Sequence, residues 1–161
     1  MNSNTPTLAD LVCLDTIELD LRAGDKWDAI AELAGLLEQE SKLIDKVSYL
    51  QAVGERENQV STSVGLGIAI PHGKSLAVKQ TSVAIGRSTT GIQWDPDSPD
   101  ICHLIILLAV SDKEADKTYM QLLAILARSL LDDGFREGLM SAPNRETLVE
   151  HLAQIKLSDH Q

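Results

Sequence analysis

The spacing of apolar residues changes several times along the chain, and each change marks an element. Leu8 to Leu11 predicts a short helix after a polar, loosely held start over residues 1–7. Thr16 to Leu21 alternates, with Ile17, Leu19 and Leu21 on one face and Glu18 and Asp20 on the other, the period of a half-buried strand. Gly24 ends it. Asp25 is placed to cap a helix, and Asp28 adds negative charge to the first turn. Trp27, Ile30, Ala31, Ala34 and Leu37 then recur at helical spacing, which predicts a helix from Asp25 to about Glu40 with Trp27 as a core anchor. Val47, Leu50 and Val53 predict a second helix that starts at Asp45 and runs out near Glu55-Arg56-Glu57.

Further on, Ile68 to Ile70 is a short apolar run that reads as a strand, and so does Ser82 to Gly86. Gly91 to Pro99 carries Trp94 among loop formers and is expected to be a loop or hairpin tip. Ile101 to Val110 is almost wholly apolar, the mark of a central strand buried on both faces. Ser111 and Glu114 match a capping box for a helix with Met120, Leu123, Ala127 and Leu130 on one face and Leu122 and Leu126 beside them, ending near Asp133-Gly134. A short segment at Phe135 to Met140 follows. Pro143-Asn144 then opens a last helix carrying Leu148, Val149, Leu152 and Ile155. Strands interleaved with amphipathic helices, without repeats or linkers, predict a single compact α/β domain over residues 1–161.

Composition narrows the function. Of 161 residues 43% are hydrophobic but only 3% aromatic, so the core is aliphatic. A formal net charge of −10 argues against a nucleic-acid binder, whose phosphate contacts need a cationic footprint, and suits a soluble cytoplasmic protein or one whose partners are basic. No run is long enough to span a membrane, and Met1 to Asp10 lacks the regions of a signal peptide. Cys13 and Cys102 are far apart and lack metal or redox spacing, so a reducing compartment is expected.

The candidate chemistry centres on Gly65-Leu66-Gly67-Ile68-Ala69-Ile70-Pro71-His72-Gly73-Lys74. Pro71 cannot donate to a strand ladder and Gly73 permits a sharp turn, so His72 is expected at a strand end, on a loop. The stretch mimics a phosphate-binding P-loop, but five residues rather than four separate Gly67 from Gly73-Lys74-Ser75, and Pro71 removes a backbone N–H. Ligand spacings for zinc are absent, as is the G-x-S-x-G of a serine hydrolase; no metal or cofactor is expected. His103, inside the central strand, reads as a satisfied core or edge residue, and His151 and His160 as solvent-facing residues of the last helix and tail. General acid–base work by His72 remains one option and names no substrate. Covalent chemistry at the ring is another, because neutral imidazole is nucleophilic near its reference pKa of about 6.5. A phosphoryl group there would need donors and cations: Arg56, the hydroxyls of Ser61 and Thr62, and the backbone N–H of Gly73 are the candidates.

Arg56-Glu57, Ser61-Thr62 and Gly65-x-Gly67-Ile68-Ala69-Ile70-Pro71-His72-Gly73 together resemble the active-site signature of the EIIA components of the bacterial phosphoenolpyruvate-dependent sugar phosphotransferase system, of the fructose/mannitol and nitrogen-regulatory branch. The similarity extends from Ala9-Asp10-Leu11 to the final helix. It implies an α/β domain with a mixed sheet flanked by helices on both faces. It also implies that His72 accepts a phosphoryl group from phospho-HPr on Nε2, and that Arg56 pairs with the phosphoryl oxygens. The group would pass to a cysteine of an EIIB domain, or serve as a regulatory mark read by another protein. Two positions depart from the pattern. Ser63 stands where the family often has glycine, and Asp116-Lys117-Thr118-Tyr119-Met120 places Tyr119 where a second histidine is common. A phenol can hydrogen-bond phosphate but carries no positive charge. No EIIB or EIIC segment is read in the chain, which fits an EIIA serving a separately encoded sugar permease as well as the nitrogen-regulatory type. The regulatory phosphorelay is the favoured expectation and the sugar-specific EIIA the runner-up. A binding module that is never phosphorylated is the alternative from another class.

Overall fold

A computed structural model describes residues 5–157; His160 and residues 1–4 lie outside the described residues. The elements follow in chain order: β1 (Ile17–Glu18), α1 (Lys26–Gln39), α2 (Lys46–Gln59), β2 (Ser63–Gly65), β3 (Ile68–Ala69), β4 (His72–Ser75), β5 (Ser82–Gln93), β6 (Ile101–Ser111), α3 (Asp116–Ser129), α4 (Asp133–Ser141) and α5 (Arg145–Leu152). Two short 3-10 turns, Leu8–Leu11 and Leu14–Thr16, precede β1.

The sheet is mixed and ordered β1-β5-β6-β3-β2, with β4 also pairing with β6. β5 runs antiparallel to β6, whereas β3 and β4 both run parallel to it, at Leu104–Ile105 and Leu108–Ser111 respectively. Pro71 sits in the break between those two short strands. There it gives up no ladder bond, and its carbonyl still accepts from the Leu108 N–H at 3.0 Å.

β6 is the central strand the apolar run predicts, and it feeds two cores. Ile105, Leu107 and Ala109 face α1 and α2, packing with Ile30, Leu33 and Tyr49. Leu104, Ile106, Leu108 and Val110 face the other side, against Leu122, Leu126, Leu139 and Leu148 of α3, α4 and α5. Helices therefore cover both faces. Cys102 shares a core with the odd-numbered residues because a bulge intervenes: the N–H groups of His103 and Leu104 both donate to the Gly67 carbonyl, at 2.8 and 3.1 Å.

Several expectations change in detail. Only Ile17–Glu18 of the alternating run is strand; Ile17 enters one core and Leu21 the other, so the run does not present one face. Asp25 caps α1 as expected, accepting from the Asp28 N–H at 2.9 Å, but Trp27 is 47% exposed rather than a core anchor. Trp94, expected on a hairpin tip, is buried at the end of the long β5. On α2 the buried residues are Tyr49, Val53 and Glu57, with Leu50 partly buried against the core, while Val47 is exposed. Ser111 and Glu114 do not cap α3. Ser111 ends β6, its N–H bonds the Thr81 hydroxyl, that hydroxyl donates to Glu114, and the helix begins at Asp116. Met120 on that helix is exposed, with Ile125 inside instead. Asp133-Gly134 opens α4 rather than closing α3, so the short segment at Phe135 is a helix capped by Asp132. The last helix opens at Asn144 as expected, and Asn144 caps it, accepting from the Thr147 N–H at 2.8 Å. Thr7 bridges to Lys156, which ties the start of the described chain to its end.

Candidate active site

His72 is the first residue of β4, paired with Leu108 of the buried central strand, and not a loop residue. Its side chain is 7% exposed. Nδ1 lies 2.8 Å from the Ile70 carbonyl. A carbonyl only accepts, so Nδ1 carries the proton and the Nε2 lone pair is left free. Burial holds the imidazole pKa below its ordinary value; the hydrogen bond to Ile70 pulls the other way, the Arg56 charge adds to the lowering, and Glu57 opposes it. The ring is thus neutral at pH 7, which is the nucleophilic form.

A cleft of about 380 Å³ opens beside the ring, and Arg56, Ser61, Thr62 and Tyr119 line it with His72. These polar groups come from three places: the last turn of α2, the segment leading into β2, and the first turn of α3. Leu123 and Met120 contribute an apolar wall. Arg56 is half-buried and donates from Nη1 to the Val60 carbonyl at 2.8 Å, which anchors the guanidinium at the helix end while leaving most of its donors for a ligand. The Tyr119 ring meets the His72 ring edge to face, with centroids 5.8 Å apart and planes at 72°. Its hydroxyl makes no hydrogen bond to protein among the described residues, and burial raises its pKa. Tyr119 lies in the first turn of α3, since its N–H closes onto the Ala115 carbonyl at 3.1 Å.

The hydroxyl groups differ from a simple donor set. The Thr62 Oγ1–H donates to Glu57 Oε1 at 2.6 Å, and the Ser61 hydroxyl donates to Asp95. Both protons are committed to carboxylates. Gly73 is buried within β4 and does not line the cleft. A Cβ there would come within 3.1 Å of Val53 Cγ2 and 3.2 Å of the Val53 backbone nitrogen, so glycine serves the close packing of β4 on α2 rather than a turn. The turn glycines are Gly65 and Gly67, both with φ of +79°, on either side of Leu66 at +60°.

Glu57 is the group that sequence reasoning quoted in a motif and gave no role. Its side chain is fully buried and gathers four donors: the Thr62 N–H at 2.9 Å, the Thr62 hydroxyl, Trp94 Nε1 at 3.1 Å and Lys26 Nζ at 3.4 Å. Lys26 also reaches Asp95 at 3.1 Å. A carboxylate directly after the arginine, at the end of an amphipathic helix, was the only available signal. Of the other histidines, His103 is satisfied by the Ser88 carbonyl at 2.8 Å. His151 is partly buried rather than solvent-facing, its ring over Gly138, where a Cβ would lie 2.6 Å away. Among the described residues no cluster of metal-ligating side chains is present, and no helix is long and apolar enough to cross a membrane.

Comparison with known proteins bears on this geometry. The family model described as phosphoenolpyruvate-dependent sugar phosphotransferase system, EIIA 2, matches residues 11–155. The chain is 35% identical to the 2-O-alpha-mannosyl-D-glycerate-specific EIIABC component of Escherichia coli (strain K12), over 94% of this chain and 22% of that protein. It is 33% identical to the fructose-specific EIIA component of Haloferax volcanii, over 92% of this chain and 96% of that one. The chain thus spans less than a quarter of the multicomponent relatives and nearly all of a separate one. The crystal structure of nitrogen regulatory protein IIA-Ntr from Neisseria meningitidis superposes with a TM-score of 0.80 at 30% identity, covering 90% of this chain and 98% of that one.

Proposed function

We propose, from the premise that this chain belongs to the EIIA 2 family of the phosphoenolpyruvate-dependent sugar phosphotransferase system, that His72 is its phosphoryl acceptor and that phospho-HPr is the donor. The observation that carries the reading is the fixed tautomer: with Nδ1–H on the Ile70 carbonyl, only Nε2 has a lone pair to offer. In the transfer, the N–P bond on the donor imidazole breaks as the Nε2–P bond of His72 forms. The donor ring keeps the electron pair, and the His72 proton stays on Nδ1, hydrogen-bonded to the Ile70 carbonyl. Charge spreads over the three phosphoryl oxygens in the transition state, so catalysis is positioning plus electrostatic stabilisation. Arg56 is the cation placed to supply it, as a planar fork able to bond two oxygens together. The hydroxyls of Ser61 and Thr62 reach a phosphoryl group as donors only by turning from their carboxylates.

The group then passes to an EIIB cysteine or remains as a mark read by another protein, in a cytoplasmic setting. The nitrogen-regulatory use is the finer reading. The likeness to IIA-Ntr supports it, and so does Tyr119, because a relay without a second cation beside the phosphoryl group suits a mark more than a transport flux. The sugar-specific reading has its own support in the fructose-specific relative, which has nearly the same length. Incubation with Enzyme I, HPr and phosphoenolpyruvate tests the relay. One phosphoryl mass is expected, acid-labile and base-stable, and none on His72→Ala. Label on His103, His151 or His160 refutes the assignment, and no label at all leaves the unphosphorylated binding module. Subsequent release of the label to a fructose- or mannitol-type EIIB cysteine favours the sugar-specific use.

A further inference from the structure

We infer that Glu57 is a positioning residue that fixes the reactive tautomer of His72 from inside the protein, through Thr62 and Ile70. The inference deepens the acceptor role proposed for His72 and rests on it only for its kinetic part. The contacts form an unbroken path. Glu57 Oε2 accepts from the Thr62 N–H at 2.9 Å, and Oε1 from the Thr62 hydroxyl at 2.6 Å. The Thr62 carbonyl accepts from the Ile70 N–H at 3.0 Å. The Ile70 carbonyl accepts from His72 Nδ1 at 2.8 Å. Thr62 is thus gripped twice by one buried carboxylate, and its carbonyl holds residue 70 through the Ile70 N–H, one peptide unit before the carbonyl that His72 uses.

Glu57 is itself held. Trp94 Nε1 donates from the end of β5, and Lys26 neutralises the charge from the start of α1 while bridging to Asp95. Asp95 in turn takes the Ser61 hydroxyl. Two carboxylates joined by one ammonium therefore hold two successive residues, 61 and 62. A buried carboxylate is costly unless fully paired, and here its four donors come from three residues far apart in sequence, Lys26, Thr62 and Trp94. Glu57 itself does not line the cleft, although Ser61 and Thr62, which the two carboxylates hold, do. Its effect on chemistry passes through the ring. Which imidazole nitrogen carries the proton is set by the hydrogen bond the other makes. If the Ile70 carbonyl shifts, the proton is free to move to Nε2, and the nucleophilic lone pair is lost.

The test is nitrogen-15 NMR of the His72 ring beside the rate of phosphorylation by phospho-HPr. Wild-type protein should show the Nδ1–H tautomer. Glu57→Met, which keeps the length but removes both acceptor oxygens, should bring in the Nε2–H form. It should also slow phosphorylation by about ten- to a hundredfold, the scale on which orienting partners of ligating histidines act. Glu57→Gln keeps one acceptor for the Thr62 N–H and should restore most of both signals. Trp94→Phe takes one donor from Glu57 without releasing Thr62; it should lower stability yet leave the ring unchanged. Should Glu57→Met not fold, Thr62→Val removes one of the two grips and should shift the ring partway. Wild-type ring signals in Glu57→Met, or in Thr62→Val where that variant substitutes for it, overturn the inference. A tautomer shift equally large in Trp94→Phe does so too. Absence of phosphorylation in the wild-type protein refutes the acceptor role and leaves the ring measurement standing.

Discussion

Arg56 and Tyr119 reach the His72 cleft from different helices, and they offer different chemistry to an anion. Arg56 is always charged and planar; lysine would keep the charge and lose the fork. Arg56→Lys is therefore expected to slow phosphoryl acceptance, and Arg56→Met to slow it further, by on the order of a hundredfold, as for loss of a preorganised donor to a charged transition state. Thermal stability should change little, because the half-buried side chain makes only one bond among the described residues, to the Val60 carbonyl. Equal rates in all three proteins would reduce Arg56 to a helix-end charge. Tyr119 presents an uncommitted hydroxyl and an aromatic edge to the ring. Tyr119→His should lengthen the life of phospho-His72 by adding a potential cation, and Tyr119→Phe should shorten it if the hydroxyl is a donor. Identical kinetics for the Phe and His variants would leave Tyr119 a packing residue. At this scale the flanking proline and glycine singled out His72 but misread its setting, a buried position on β4 rather than a loop. Glu57 was not legible, because its partners at positions 26, 62 and 94 meet only in the fold. The two tryptophans were misplaced for a related reason: Trp94 is recruited inward by a carboxylate that local spacing cannot reveal, and Trp27 lies outside with Lys26 Nζ 5.3 Å from its ring centroid.

Among the elements, β4 and α2 define how firmly His72 is held. The Gly73 position lies against the backbone of α2 at Ala52 and Val53, which cannot move aside as a flexible side chain can. Gly73→Ala should therefore destabilise the protein by roughly 1–3 kcal/mol, as overpacking does. Urea unfolding measures it, and an unchanged midpoint would show that α2 slides at no cost. Since α2 carries both Arg56 and Glu57, the same variant should also slow phosphoryl acceptance. The sequence located α1 through its capping aspartate and apolar spacing, α2 through the spacing of Val47, Leu50 and Val53, α5 through Pro143-Asn144, and β6 through its continuous apolar run. It mislaid the start of α3. The Ser111–Glu114 pattern was spent on a turn pinned to Thr81, a tertiary contact that outcompetes the local cap. That shift brings Tyr119 into the first turn, close to the end of the strand that pairs with His72.

Over the whole molecule, the two cores meet on β6 and His72 is buried beside that strand at the wall of the cleft, so its protonation is coupled to folding. Its folded pKa lies below the unfolded value of about 6.5. Between those two values the unfolded chain binds more protons than the folded one, so stability rises with pH through that window and is lost as pH falls through it. The carboxylates whose pKa is lowered act elsewhere. Asp95, held down by Ser61 and Lys26 against the opposing effect of its burial, keeps its contribution above the ordinary 3.8 and loses it only as pH falls through its lowered value. Asp45 and Asp116 shift the same way but are fully exposed. The two windows can be separated. Between about pH 7 and pH 5, wild-type protein should lose more stability than His72→Gln, which has no ring to protonate. Urea midpoints across that range measure the difference; parallel curves would mean that the ring titrates as it does in solvent. Phosphoryl acceptance should follow the same ionisation. Its acid limb should have a midpoint below about 6.5, because only the neutral ring attacks. A midpoint above that value would mean that carboxylate attraction outweighs burial at His72, and would place Glu57 in electrical rather than purely positional control of the ring.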